Sequence, residues 1–435
     1  MLSEGQSSVE YHLRSPKDVN STSLGSLESP TSSPEPFENE SIRKPLPVPK
    51  CLSNRAATGE KGMLAGGGAC TPYPRSFEAM KLACPGMYYT YAKTIRKEIM
   101  EGLRYILQTK NQYTFAYHGS GSTGTTAVMD NLIEQGDKVA VGVYGHWSSI
   151  AADIAERLGA NVIRLKKPLG SRLTLEEIEK ALSEHKPKVL YLLHGESTTG
   201  ILQPLDGIGE ACEKYGTILA VDLVSTVAQI PIEMDRMKID VVMMNTQKAI
   251  GGVVGLAPVS YSPKAIAIIR NRKTPPRVYQ TDVLEQAREW LIEEPKWYQV
   301  ESCLHSVSLA LLHMLREGLA NIVDEGIENV WARHDQSSRY IFDRAEEMGL
   351  EFVVPVKEDR LPGTLLVKCP KGKDAYKVTG YMWDKHRIEL STGFGPPTIG
   401  KCIRVGLFGE NARLDVAETI MDALKDSLSS PETNA

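Results

Sequence analysis

Two residues of opposite charge each follow a short apolar run. Thr217-Ile218-Leu219-Ala220-Val221 leads into Asp222, and Asp240-Val241-Val242-Met243-Met244 leads into Asn245-Thr246-Gln247-Lys248. A carboxylate at the end of an apolar run needs a cation or hydrogen-bond donors. A lysine amine that has lost its proton is both nucleophile and base. A third feature is Gly119-Ser120-Gly121-Ser122-Thr123-Gly124, whose glycines let backbone N–H groups approach an anion while the hydroxyls add donors. It has neither the Gly-Lys-Ser/Thr of a Walker loop nor the spacing of a hydrolase nucleophile elbow. Trp147 follows another apolar run, 138–143.

Taken singly these features have ordinary explanations: a helix cap for the acid, a solvated charge for the lysine, a strand-to-helix turn for the glycines. Together, an acid, an amine, an anion cradle and an aromatic face suit pyridoxal 5′-phosphate (PLP). The lysine would form the Schiff base, the carboxylate would keep the pyridine nitrogen protonated, and the aromatic residue would cover the ring.

Residues so far apart converge only if the fold brings strand ends together. Strand-like runs are expected over 113–117, 138–143, 161–165, 188–193, 217–221, 240–244 and 256–261, alternating with helical stretches over 92–108, 124–133, 148–158, 174–182 and 204–215. Thr174-Leu175-Glu176-Glu177 has the form of a helix capping box. This alternation predicts an α/β fold with a mostly parallel sheet covered on both faces, its ligand beyond the carboxyl ends of the strands. After about residue 300 the texture changes. Long helical stretches over 302–323 and 327–348, strands over 351–354, 364–367 and 403–407, and a helix over 414–428 predict a smaller α+β domain.

The 435 residues are 42% hydrophobic and 24% charged, and 50 basic against 54 acidic side chains leave a net charge of −4. That balance argues against a protein built to neutralise nucleic-acid phosphates. No run reaches the roughly 18 apolar residues of a membrane span. Residues 1–50 hold 11 serines and 7 prolines and few large apolar residues, so a disordered tail is expected, drawn here over 1–60. Beyond it the expected division is 61–84 as a segment near the substrate pocket, 85–300 as the large domain, 301–428 as the small domain and 429–435 as a tail. Seven dispersed cysteines (Cys51, Cys70, Cys84, Cys212, Cys303, Cys369, Cys402) include no C-x-x-C pair, so no metal is expected. Such a set fits a reducing interior. Neither a secretory pattern around Glu4 and Glu10 nor a Ser-Lys-Leu address at Pro431-Glu432-Thr433-Asn434-Ala435 is present, and the cytoplasm is expected.

The run His194-Gly195-Glu196-Ser197-Thr198-Thr199-Gly200-Ile201-Leu202-Gln203-Pro204-Leu205-Asp206-Gly207 resembles the alanine–glyoxylate and serine–pyruvate aminotransferases of class V, fold type I. So do Val221-Asp222, Gln247-Lys248-Ala249 and Gly400-Lys401-Cys402-Ile403-Arg404-Val405-Gly406-Leu407. The four motifs keep the family's order and spacing across roughly 85–428. The resemblance implies the PLP-dependent transferase fold, with a seven-stranded large domain and a small C-terminal domain. It also implies a homodimer with active sites at the subunit interface. By position, Lys248 is similar to the Schiff-base lysine, Asp222 to the partner of the pyridine nitrogen and Trp147 to the ring-stacking residue. Ser197 is similar to the neighbour of the ring hydroxyl, and Ser120, Gly121, Ser122 and Gln247 to the phosphate binders. Arg404 resembles the arginine that grips the substrate carboxylate, a task suited to its planar fork; the alternative is a structural ion pair in the small domain.

Departures accompany the match. The family's Gly-Pro-Gly-Pro-Ser opening, which shapes the substrate pocket, stands here as Gly66-Gly67-Gly68-Ala69-Cys70-Thr71-Pro72. The Ser-Gly-His cradle ends in Ser122, and the Ala83-Cys84-Pro85-Gly86-Met87-Tyr88-Tyr89-Thr90 segment differs as well. The Tyr-x-x-Thr that reaches the neighbouring subunit's phosphate aligns with Cys303-Leu304-His305-Ser306, where Ser306 keeps a hydroxyl and Tyr298 offers a phenol. The expected activity is transfer of an amino group from a small amino acid, of alanine or serine type, to a keto acid such as glyoxylate or pyruvate. The altered pocket keeps open a PLP-dependent lyase, decarboxylase or carbon–carbon bond-forming reaction. A non-catalytic relative is the third reading.

Overall fold

A computed structural model describes residues 61–82, 90–291 and 307–435. The expected N-terminal tail, the 83–89 segment, Tyr298, Cys303 and Ser306 lie outside the described residues. In chain order the first elements are β1 (Met63–Leu64), α1 (Pro74–Ala79), α2 (Thr90–Leu107), β2 (Tyr113–Gly119), α3 (Gly121–Leu132), β3 (Lys138–Val143) and α4 (His146–Arg157). Then come β4 (Asn161–Lys166), α5 (Leu175–His185), β5 (Val189–Leu193), β6 (Gly195–Glu196), β7 (Ile201–Leu202), α6 (Ile208–Tyr215), β8 (Ile218–Asp222), β9 (Val241–Met243) and β10 (Gly255–Tyr261). The remainder is α7 (Pro263–Arg270), α8 (Val283–Trp290), α9 (Leu309–Glu325), α10 (Ile327–Glu347), β11 (Thr364–Lys368), α11 (Ala375–His386), β12 (Ile388–Glu389), β13 (Cys402–Gly406) and α12 (Leu414–Ser429).

Seven strands form one sheet in the order β2-β10-β9-β8-β5-β3-β4. Only β10 is antiparallel to its neighbours, so the sheet is mostly parallel, as in fold type I. Every residue of the central β5 and β8 is buried, whereas the edge strand β4 is half-exposed along most of its length. Strands covered on both faces must read as continuous apolar runs, and Val189-Leu190-Tyr191-Leu192-Leu193 does. Thr174 and Glu177 exchange the two bonds of the capping box, Glu177 N to Thr174 Oγ1 at 3.2 Å and Thr174 N to Glu177 Oε2 at 2.9 Å.

A second buried cluster gathers Ile341, Leu365, Val378, Met382, Ile403, Val405, Ile420 and Leu424 from α10, β11, α11, β13 and α12. The early chain joins it: β1 pairs in parallel with β12, Gly406 N donates to Ala65 O at 2.8 Å, and Asn411 Nδ2 to Leu64 O at 2.6 Å. That docking carries Gly66-Gly67-Gly68 to the ends of the large sheet. Among the described residues no helix is long and apolar enough to cross a membrane.

Some expected boundaries move. The glycine–serine run is the first turn of α3 itself, which begins at Gly121 instead of 124 because Ser120 adopts the extended N-cap conformation. The stretch expected as helix from 204 starts at Ile208, after Gly207 at φ +76°. The strand expected over 351–354 shrinks to one bridge, Phe352 to Val367, because Pro355 has no N–H to extend the ladder. The last residues are tied down: Asp374 N donates to Thr433 O at 3.0 Å and Ala435 N to Gly372 O at 2.9 Å.

Candidate active site

At the carboxyl ends of β5, β8 and β9 lies a cavity of about 200 Å³. Its lining includes Gly67, Ser120, Gly121, Ser122, Trp147, Ser197, Asp222, Gln247, Lys248 and Arg404. Every site residue expected from the sequence is therefore present there except Ser306, which lies outside the described residues. The segment around Gly67, the N-termini of α3 and α4, the turn after β6, the end of β8, the turn after β9 and the strand β13 supply them from seven separate parts of the chain.

Lys248 is 4% exposed. Its Nζ donates to Gly67 O at 3.0 Å and lies 3.1 Å from Ser225 Oγ, with the ring of Phe408 centred 4.6 Å away. Burial, helped by the charge of Arg404, pushes the amine down to about 7. In the unfolded chain it titrates near 10.5. Between those values the unfolded state carries the extra proton, so this group's contribution to stability rises with pH from about 7 to about 10.5. Lys248→Met removes the cost of burying the amine. The cofactor-free variant is therefore expected to melt above the parent at pH 7, with the gain fading by pH 10. Melting curves at the two pH values check this; an equal gain at both would contradict a neutral buried amine.

Asp222 closes β8 and is 8% exposed. Burial drives its carboxyl up to about 7, against the N–H of Val224, which donates to Oδ1 at 2.8 Å. The acid is thus short of positive charge, and a protonated ring nitrogen in the cavity would supply it.

In the same cavity the first turn of α3 presents N–H groups that have no carbonyl partner within the helix. Both polar side-chain atoms of Asn245 and the Oε1 of Gln247 are buried without a hydrogen-bond partner among the described residues. A Cβ at Gly121 would stand 3.6 Å from Asn245 Nδ2, and Gly121 and Gln247 line the same cavity. Unspent donors at a helix N-terminus beside the hydroxyls of Ser120 and Ser122 fit a phosphate ester. The donor set, the acid in need of a cationic partner and the amine lowered to about 7 together fit PLP.

Trp147 is 39% exposed and stacks on Phe394, with ring centroids 5.2 Å apart and planes 16° from parallel. Arg404 is buried. Its Nε donates to Gly66 O at 2.9 Å and one terminal nitrogen to Ser197 O at 3.1 Å. It makes no ion pair among the described residues, so the expected alternative of an acid in the small domain is not what holds it. Burial lowers this guanidinium to about 10, offset by the charge of Glu196, and it stays protonated at neutral pH. Gly67 sits at φ +76°, and a Cβ there would lie 2.9 Å from Arg404 Nε, so only glycine fits the approach.

The chain matches the family model described as aminotransferase class-V over residues 87–417. It is 36% identical over 389 residues to the alanine–glyoxylate aminotransferase of Rattus norvegicus, covering 89% of this chain and 90% of that protein. The chain belongs to the class V aminotransferases. It is an enzyme that transfers amino groups. A second relative of this aminotransferase, the (S)-ureidoglycine–glyoxylate transaminase of Bacillus subtilis, is 30% identical over 78% of the chain and 84% of its own length. The crystal structure of an alanine–glyoxylate aminotransferase from Nostoc sp. superposes with a TM-score of 0.83 at 32% identity, covering 88% of this chain and all of that one.

Four residues around the aminotransferase site escape a reading of the sequence. Ser225 touches Lys248, Asn245 borders the anion cradle, Phe394 covers Trp147, and Glu196 is buried behind Ser197. Phe394 had a local signal in Gly393-Phe394-Gly395, where glycines at φ +86° and +81° let one aromatic residue project. The other three are ordinary polar residues, marked only by where the fold puts them.

Proposed function

We propose that this aminotransferase binds PLP on Lys248 and moves the amino group of a small amino acid, of alanine or serine type, to a small keto acid such as glyoxylate or pyruvate. The observation that carries this reading is a buried amine lowered to about 7 that lines one cavity with a buried carboxyl lacking a strong cationic partner and a buried guanidinium with no acid partner among the described residues. When bound, PLP supplies the electron sink that lets an amino acid's Cα–H bond ionise. Asp222 would keep the ring nitrogen protonated, Ser120, Gly121, Ser122 and Gln247 would hold the phosphate, Ser197 would serve the ring hydroxyl and Trp147 the ring face. Lys248 Nζ, once displaced by the substrate's own amine and with its pKa lowered to about 7 by burial, would accept the proton from the substrate's Cα and pass it to the carbon that ends up bearing the amino group. Arg404 fixes the substrate carboxylate so that the Cα–H bond faces Lys248.

Small substrates fit because Gly67 and Phe394 border the guanidinium closely. Glyoxylate is the acceptor named for both relatives, while their donors differ. A homodimer belongs to this reading, with Ser306 as a phosphate contact from the neighbouring subunit. So does the cytoplasm, supported by the free thiols of Cys70, Cys212, Cys369 and Cys402. A panel of amino donors against glyoxylate and pyruvate, with products identified, tests the substrate class.

Asp222→Ala is expected to retain cofactor poorly and to slow α-proton removal by on the order of 10²–10³-fold, the usual cost of deleting one aimed electrostatic group. Single-turnover decay of an α-deuterated donor measures it. An unchanged rate would reassign the acid.

A further inference from the structure

Glu196 is fully buried, does not line the cavity, and has no cation paired with it among the described residues. A buried carboxylate of that kind is costly unless donors surround it. Its Oε2 accepts from Ser148 N at 2.9 Å and lies 3.1 Å from Ser148 Oγ. Its Oε1 accepts from Thr198 Oγ1 at 2.6 Å and Thr198 N at 3.2 Å. Ser148 sits in the first turn of α4, the turn that presents Trp147, where a negative charge is favoured by the helix dipole. Thr198 Oγ1 in turn accepts from His146 N at 3.0 Å. A Cβ at Gly145 would collide with Glu196 Cγ, so the carboxylate reaches the helix only because that residue is glycine.

The other side of Glu196 leads to the substrate end. Ser197, the next residue, accepts from Arg404 through its carbonyl at 3.1 Å. Thr198 O lies 3.3 Å from Thr398 Oγ1, on the segment that carries Phe394. One side chain therefore fastens the helix turn bearing the ring-covering residue to the loop that holds the arginine.

We propose that Glu196 is a positioning residue that sets the spacing between Trp147 and Arg404, keeping the cofactor ring and the substrate carboxylate in register for proton transfer at Lys248. This rests on the roles proposed above for Trp147 and Arg404. The carboxylate acts through Ser148 on one side and through Thr198 and Ser197 on the other. Its charge also faces Arg404 and offsets the burial of the guanidinium.

The test compares Glu196→Gln with two half-cuts, Ser148→Ala and Thr198→Val. Glutamine keeps the shape but turns an NH₂ toward one pair of donors, so one side of the clasp must open. Glu196→Gln is expected to raise the KM for alanine and glyoxylate and the Kd for PLP, measured by equilibrium dialysis, each by about tenfold, the scale of one charged hydrogen bond. Ser148→Ala should move the cofactor constant alone, whereas Thr198→Val, which also loses the bond from His146 N in the turn that carries Trp147, should move both. These half-cuts also serve if the glutamine variant does not fold. A lowered melting temperature with all of these constants unchanged in every variant that folds would make the clasp merely structural and overturn the proposal. Arg404→Lys is the control. If it too leaves the substrate constants unchanged, the carboxylate site lies elsewhere; if it alone raises them, the clasp fails while the function stands.

Discussion

Lys248→Ala is expected to abolish turnover, with a loss on the order of 10⁴-fold or more, because one residue serves as both cofactor attachment point and proton carrier. Among the described residues lining the cavity, Lys248 has the only amine. Arg404 cannot substitute: its guanidinium keeps its proton at neutral pH and is tied to Gly66 O and Ser197 O. The amine is also specifically prepared, held at 3.0 Å from Gly67 O and 3.1 Å from Ser225 Oγ in a buried setting that lowers it to about 7, so that a large share is uncharged at neutral pH. Borohydride reduction of the PLP-loaded parent followed by peptide mapping should place the cofactor on the peptide containing Lys248. In the alanine variant no lysine peptide should carry it. Cofactor fixed to another lysine, with turnover retained, would show that the amine was wrongly chosen.

Arg404→Lys is the second large effect. The guanidinium gives Nε and one terminal nitrogen to two backbone carbonyls, which fixes its plane, and lines the cavity with no acid in contact among the described residues. A lysine ammonium can replace one of those bonds but cannot hold both carbonyls and still offer two parallel donors to a carboxylate. Loss of that charged bidentate pair should raise KM for amino and keto acids by about 30- to 150-fold, on the order of 2–3 kcal/mol. PLP loading should be unaffected. Simple amines lacking a carboxylate should react no worse with the variant than with the parent. Normal handling of amino acids together with early melting would instead make Arg404 a structural residue.

Much of this was legible in the order of residues. All seven strands of the main sheet stand within two residues of their expected bounds, because strands buried on both faces leave uninterrupted apolar runs. Asp222 and Lys248 were legible for the same reason: polar residues directly after such runs mark strand ends, where an open parallel sheet binds its ligands. Strand order was not. Nothing local to Leu256-Ala257-Pro258-Val259 says that β10 inserts antiparallel between β2 and β9. Nor could spacing show that β1 pairs with β12, a contact spanning most of the chain that delivers Gly67 to Arg404. Ser225 and Glu196 have meaning only through partners 23 and 48 positions away. Hydrogen bonds over such separations are set by tertiary packing, which no periodicity encodes.

The most direct measurement of the central claim is a mass balance. Purified protein loaded with PLP is mixed with alanine and glyoxylate, and pyruvate, glycine, ammonia and carbon dioxide are quantified together. Equal amounts of pyruvate and glycine are expected, without ammonia or carbon dioxide, and serine should replace alanine with hydroxypyruvate as the product. Pyruvate accompanied by ammonia instead of glycine, release of carbon dioxide, or no product from any small donor with either keto acid would contradict amino-group transfer between these substrates.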